Sequence, residues 1–494
     1  MAIQISENDV TVKYVENVGK GQLAAECNIS CQNGVSKIYC VSGGCNVKSV
    51  TALDRAVNVA CEVTTRVIYA DVSGAVDSAD YVTEITETVA AEGALADMPV
   101  SCRCSISDIR SETVGSAIKV QSVVDLIFEG ESEYTASLVS EVQGALTRTQ
   151  ESELINLKGG GTDSFTESEE FESGGKISKI LSYGAEVLLS SVRAEEGSVY
   201  AEGEVWMQLV YDDGGICSKQ FSHPFAQQLM IGGAKADDIV TASAGVKAVS
   251  ILLTGSEDEG VAVMDVTVGV DVRLFETVAV ETVTDVFSPA AELEVTSMSK
   301  TFTVPEGMKF VNKRVCGNAD VEVEGMRRIS AGVPSYAVLS NLYADGGKLT
   351  AEGVISVCEI YETDGGETGS VGVDIPFSFT CDIKDEDIRC TGVTVTDIVS
   401  RVRREGEIEV CANVALQLVS CSVKELKGVT HIEVGQERET DLGGISVYTV
   451  GGDETLWDVA KALNMSERDI IEQNEFAGKG IKEGDRIVVF RCVS

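Results

Sequence analysis

From the N-terminus to about residue 440, apolar and polar residues alternate in long runs. The clearest is Val261 to Leu274, where a spacing of two is kept without a break: Val261, Val263, Asp265, Thr267 and Gly269 interleave with Ala262, Met264, Val266, Val268 and Val270. Glu407 to Leu418 is a second such run. A period of two predicts strands with one buried face. The pattern changes in the tail. Val447 to Val450 reads as a short strand, and Thr455-x-x-Asp458 places a hydroxyl and a carboxylate to cap a helix start. Leu456, Val459, Ala460 and Leu463 then fall on one helical face. Ser466-x-x-Asp469 repeats the capping pattern before Ile470 and Ile471. Gly478 and Gly480 are expected to break this second helix, and Ile487 to Val489 to close the module with a strand.

The body repeats itself. Ala201-Glu202-Gly203 leads to Tyr211 and a turn at Asp212 to Gly215; Ala351-Glu352-Gly353 leads by the same step to Tyr361 and a turn at Gly365-Gly366. His223-Pro224-Phe225 and Ile375-Pro376-Phe377 follow, then Asp237-Asp238-Ile239 and Glu386-Asp387-Ile388. Cys61 to Tyr69 keeps the step in a weaker first copy that lacks the Pro-Phe pair. A spacing of roughly 140–150 residues is too long for a solenoid, so each copy is a whole β domain. Lys158-Gly159-Gly160-Gly161 and the acidic run to Gly175 read as a flexible linker, as does Glu437 to Gly444. The expected division is 1–157, 176–295, 296–436 and a tail module at 445–494.

Net charge narrows the partners. At -40 the chain repels nucleic acid phosphates and anionic headgroups. Its first residues lack the basic-then-apolar pattern of a secretory signal, and no apolar run is long enough for a membrane span. Fifteen cysteines are scattered along it. Cys27, Cys31, Cys40 and Cys45 lack paired C-x2-C knuckles; zinc, later cross-linking and buried free thiols remain open, with reduced thiols the default. Catalytic chemistry has little to work with. Only His223 and His431 are present, neither in a pattern that suggests a nucleophile pair, and there is no phosphate-binding Gly-x-x-x-x-Gly-Lys loop and no His-Glu-x-x-His. Trp206, on a repeat strand, is expected in the core. No catalytic residue, metal or cofactor is expected.

Two resemblances join these patterns. The tail, with Thr455-Leu456-Trp457 after a turn and Ile481 to Val489 at its end, resembles a LysM domain, a βααβ module that binds cell-wall glycans. The resemblance implies a groove with Asp453, Glu454, Thr455 and Leu456 on one side and Asn474, Glu475, Phe476 and Ile481 on the other. The Glu-Gly start, the Tyr before a turn, the Pro-Phe step and Thr284-Asp285-Val286-Phe287-Ser288-Pro289 resemble the SPOCS domain of spore coat assembly proteins. Several SPOCS-like copies followed by one LysM module resemble the SipL/SpoVID-like coat morphogenetic family of endospore-forming bacteria. That family implies a mainly β chain of tandem β-sandwich-type domains with a small βααβ end. It also implies a non-enzymatic adaptor in the mother-cell cytoplasm at the forespore surface, whose LysM end engages a SpoIVA-like coat ATPase while the β domains self-associate or recruit other coat proteins. The alternative is a carbohydrate-binding protein that attaches to peptidoglycan or its precursor, or to an N-acetylglucosamine glycan, through LysM.

Overall fold

The computed structural model describes residues 3–173, 176–254, 260–383, 387–404, 406–438 and 444–491. Strand makes up 79% of the chain and helix 4%, as the alternating pattern dictates. Six strands form a first unit: β1 (Gln4–Ser30), β2 (Lys37–Leu53), β3 (Ala56–Ala70), β4 (Val76–Ala90), β5 (Val100–Val114) and β6 (Ala117–Gln143). They pair antiparallel as two three-stranded sheets, β1-β6-β5 and β2-β3-β4. The next six are β7 (Leu146–Glu172), β8 (Lys179–Glu195), β9 (Ser198–Asp212), β10 (Ile216–Met230), β11 (Ile239–Thr254) and β12 (Val261–Phe287). Their sheets, β7-β12-β11 and β8-β9-β10, repeat that order. A third set repeats it again: β13 (Ala291–Asp320), β14 (Met326–Asp345), β15 (Lys348–Thr363), β16 (Thr368–Asp382), β17 (Asp387–Arg404) and β18 (Glu407–Glu437), in sheets β13-β18-β17 and β14-β15-β16. Within each unit the two sheets close on one apolar core, built in the first from residues such as Val59, Val63, Leu126 and Phe128.

The repeated motifs are cross-strand partners. Phe225 lies directly opposite Gly203, and Phe377 directly opposite Gly353. A Cβ on Gly353 would fall 2.3 Å from the Val338 carbonyl oxygen and 2.5 Å from the Phe377 ring. The ring fills the space that the missing side chain leaves. In the first unit the same two positions are Cys61 and Ile85, also paired. The Pro-Phe signature is absent there because a mid-sized pair replaces the small-and-large one.

The glycine run expected as a linker is strand. Gly159, Gly160 and Gly161 pair with Leu274, Arg273 and Val272 at a register shift in the β7–β12 ladder. A Cβ on Gly160 would lie 2.3 Å from the Val272 carbonyl oxygen, so the glycines serve close approach of backbones, not flexibility. Pairing of β7 from Leu146 puts the first junction at 144–145, ahead of the expected 158–175. The second junction falls at 288–290. Of the second expected linker, 439–443 lies outside the described residues.

The three units close a ring. The long strands β6, β12 and β18 each touch the other two. Each bulges at a hydroxyl residue, Ser140, Thr284 and Thr430. All three hydroxyls donate over 3.2 Å to a backbone oxygen of the paired strand, at Ser6, Arg148 and Thr296. Flanking these bulges, Val139 and Val142, Val283 and Val286, and Val429 and Ile432 form one buried cluster. At the other junction Ile68, Val210 and Ile360 meet in a second shared cluster with Cys40, Leu181 and Ala331.

Several side chains depart from expectation. Cys316 and Cys411, direct partners on β13 and β18, form a disulfide, where reduced thiols were the default. Cys27, Cys31 and Cys40 are buried thiols, and among the described residues no three His, Cys, Asp or Glu side chains are grouped to hold a metal. Trp206 is half-buried rather than core, its indole N–H donating to Glu204 over 2.9 Å. His223 sits on β10 with Nε2 2.7 Å from a Glu169 carboxylate oxygen.

Candidate functional site

The tail folds by its own local signals. Strands β19 (Gly444–Thr449) and β20 (Arg486–Arg491) pair antiparallel around α1 (Leu456–Leu463) and α2 (Glu467–Gln473). Thr455 and Asp458 form the reciprocal capping box, and Ser466 accepts from the Asp469 N–H. Trp457, Val459, Ala460, Leu463, Ile470, Ile487 and Val489 fill the core. The second helix stops at Asn474, earlier than the glycines suggested, and a 3-10 turn carries Glu475 to Lys479.

Asn474 explains that stop. Its side-chain amide donates to the carbonyl oxygens of Ile470 (3.0 Å) and Val488 (2.8 Å), and its Oδ1 accepts from the Val488 N–H (2.9 Å). The side chain is buried and bolts α2 to β20. Glu454 is similarly engaged: its carboxylate accepts from the Tyr448 hydroxyl and the Gly451 N–H, both at 2.7 Å. Those two bonds, the tyrosine's first, hold its carboxyl below the usual range. Thr455 serves α1 as its cap, while Leu456 and Ile481 pack half-buried against the module core. Asp453, Glu475 and Phe476 face solvent, with Phe476 44% exposed. Of the eight groove positions, then, Asn474, Glu454 and Thr455 have internal partners and Phe476 is the exposed apolar one.

A contact that the sequence reading missed fixes the module to the body. The Trp457 indole N–H donates to Asp285 over 2.9 Å, and the Lys461 ammonium meets the same carboxylate at 2.9 and 3.0 Å. The Phe287 ring stands edge-on to Trp457 at 4.9 Å between centroids. Burial alone would raise the Asp285 carboxyl; the Trp457 N–H and Lys461 outweigh it and hold the group below its ordinary value. Asp285 follows the Thr284 bulge, which re-aims the strand end. One residue past the sister bulges stand Glu141 and His431, and at the Phe287 position stand Gln143 and Glu433. Only the second unit offers an aspartate and an aromatic ring. The signal was present in Asp285-Val286-Phe287, but its partner lies more than 170 residues away in sequence. Beside the contact, a cleft of 290 Å³ opens between Gly144 to Leu146, Pro289 and the α1–α2 turn.

A ring of β-sandwiches with a small βααβ module clamped to its rim defines a multi-domain binding protein. The family model described as "SipL, SPOCS domain" matches residues 34–114 and 176–254, and the LysM domain model matches 448–490. The chain thus carries two SPOCS domains and a C-terminal LysM domain, the combination found in SipL/SpoVID-like proteins. The SPOCS segments coincide with β2–β5 and β8–β11, so the long strands that flank them in sequence, β1, β6, β7 and β12, lie outside them. Strands β14–β17 keep the same order without a match. No curated protein and no solved structure matches the chain. Both domain types are non-catalytic binding modules, and together they are those of a sporulation-related adaptor with a module of the peptidoglycan-binding kind. Among the described residues no helix is long and apolar enough to cross a membrane.

Proposed function

We propose that this protein is a non-enzymatic assembly adaptor of the spore coat, working in the mother-cell cytoplasm at the forespore surface. In this reading the β ring is a platform, and the LysM end docks a coat basement ATPase of the SpoIVA type. The observation that carries the reading is the state of the groove. Asn474, Glu454 and Thr455 already have partners inside the module, and Phe476 is an exposed apolar side chain on a module whose Asp453, Glu475 and Glu483 also face solvent. An exposed apolar anchor on a module of net negative charge suits a protein pocket edged with Lys or Arg better than a glycan that itself carries carboxylates.

Two pull-downs with the full chain test it, one on insoluble peptidoglycan and one on the immobilised ATPase. The expected result is retention by the ATPase and a loss of about tenfold or more in affinity for Phe476→Ala, as for a central aromatic anchor. Retention by peptidoglycan alone would overturn the adaptor reading in favour of glycan attachment.

A further inference from the structure

Among the contacts between units, one equivalent side chain, two residues before Ile68, Val210 or Ile360, reaches from each unit to the next around the ring. From the first unit, Arg66 lays its guanidinium 4.1 Å from the centre of the Tyr183 ring in the second. From the second, the Gln208 amide donates to the Gly332 carbonyl oxygen of the third over 2.8 Å. From the third, the Cys358 thiol donates to the Tyr39 carbonyl oxygen of the first over 2.9 Å. The receiving positions opposite Ile68, Val210 and Ile360 are Cys40, Ser182 and Ala331. Cysteine therefore meets cysteine at one of the three interfaces, and the Cys40 and Cys358 side chains are in hydrogen-bonding contact there. Both are buried in the shared cluster at the junction.

That interface is also the one without a short covalent connection. Two residues, 144–145, join the first unit to the second, and three, 288–290, join the second to the third. The first and third units meet only through non-covalent contacts, the Cys358 and Ser335 hydrogen bonds to Tyr39 and Val41 among them.

We propose that Cys40 and Cys358 form a disulfide that closes the ring covalently between its first and third units. The oxidant is a small-molecule disulfide such as glutathione disulfide. One cysteine thiolate attacks it, releasing one glutathione and leaving a mixed disulfide; the second cysteine thiolate then displaces the other glutathione. The two protein thiols give up two electrons and two protons, and one glutathione disulfide becomes two thiols. The neighbouring thiol and burial raise the Cys40 thiol well above its ordinary value, so the closed reduced ring reacts slowly and the bond forms as the units come together. By tying residues far apart in sequence, it restricts the unfolded chain and stabilises the ring.

The test is to refold the full chain in a reduced-plus-oxidised glutathione buffer, alkylate it under denaturing conditions, digest it without reduction and map linked peptides by mass spectrometry. A Cys40–Cys358 peptide is expected, together with a higher melting midpoint than Cys358→Ala treated identically. Reduced Cys358→Ala should melt with the reduced parent, which shows that the substitution itself does not unfold the junction. Recovery of both residues as alkylated free thiols from a folded, oxidised sample would overturn the proposal. So would a linkage of either one to Cys45, Cys61 or Cys104.

Discussion

Single residues hold the module together and hold it in place. The Asn474 side chain adds a bond to the Ile470 carbonyl oxygen, which the Asn474 backbone N–H also meets, and engages both the carbonyl and the N–H of Val488. Asn474→Ala leaves them without those bonds and should cost the module about 2–4 kcal/mol, read as early loss of its protection in hydrogen exchange. The seat is separable from the fold. Asp285→Ala removes the acceptor of the Trp457 indole and the partner of Lys461, while the module core is untouched. With two tryptophans in the chain, a Trp206→Phe background isolates Trp457, whose emission should shift to the red when Asp285 is replaced. An unchanged spectrum would mean that Phe287 alone is a sufficient seat. Glu359 presents a different case. It occupies the place of Val67 and Leu209 in the sister units, is fully buried and receives only the Ser400 hydroxyl at 2.5 Å, with Oε2 unpartnered among the described residues. Burial, opposed only in part by Ser400, pushes its carboxyl up to about 7. The neutral form is thus favoured on folding, and this contribution is full below the unfolded value near 4.5 and lost as pH rises through about 7. Stability should fall between pH 5 and pH 8 by up to roughly 3 kcal/mol on this account, and Glu359→Gln should flatten that slope in denaturant titrations.

At the scale of elements, what could be read from the chain was whatever short-range chemistry decides. Thr455 with Asp458 and Ser466 with Asp469 specify helix starts within four residues, and both starts stand where expected. Alternation over Val261 to Leu274 specified a strand, and β12 runs through it. The failures share one cause. Gly159 to Gly161 reads as linker until Val272 and Arg273 are placed against it, and Trp206 reads as core until its face of β9 is known. The Glu-Gly and Pro-Phe motifs were visible as repeats, but not as one packing unit, because nothing local says that Phe377 lies across from Gly353. That pairing carries a coupling. Gly353→Cys alone drives a side chain into the Val338 carbonyl and the Phe377 ring, and overpacking of this kind costs about 1–3 kcal/mol. Adding Phe377→Ile recreates the Cys61–Ile85 pair of the first unit. The double variant should therefore be less destabilised than the sum of the two single variants, by a margin that a double-mutant cycle in urea can resolve. Strict additivity would show that the two positions fold independently and that the repeat motif has another origin.

The whole molecule is a property of three distant segments meeting, and no part of it is written in any one of them. Ile68, Val210 and Ile360 each look like an ordinary apolar residue on an alternating strand. Each is almost wholly buried because two other units cover it. The module inherits its position from this assembly, since Asp285 and Phe287 sit at the end of β12, which packs against β6 and β18 around the same centre. A ring of this kind predicts that damage at the junction separates units before it unfolds them. Val210→Asp places an unpaired carboxylate among Cys40, Ile68, Leu181, Ala331 and Ile360, a cost of several kcal/mol that falls on the contact between units. The sandwich core of the second unit is a distinct cluster and is left intact. Small-angle scattering should register a larger radius of gyration for this variant, while far-ultraviolet circular dichroism keeps the strand signal of the parent. Thermal unfolding should split into more than one step, because units no longer braced by their neighbours melt separately. If Val210→Asp instead loses its strand signal in a single transition below that of the parent, the three units are one cooperative structure, and the junction belongs to the fold of each unit rather than to their assembly.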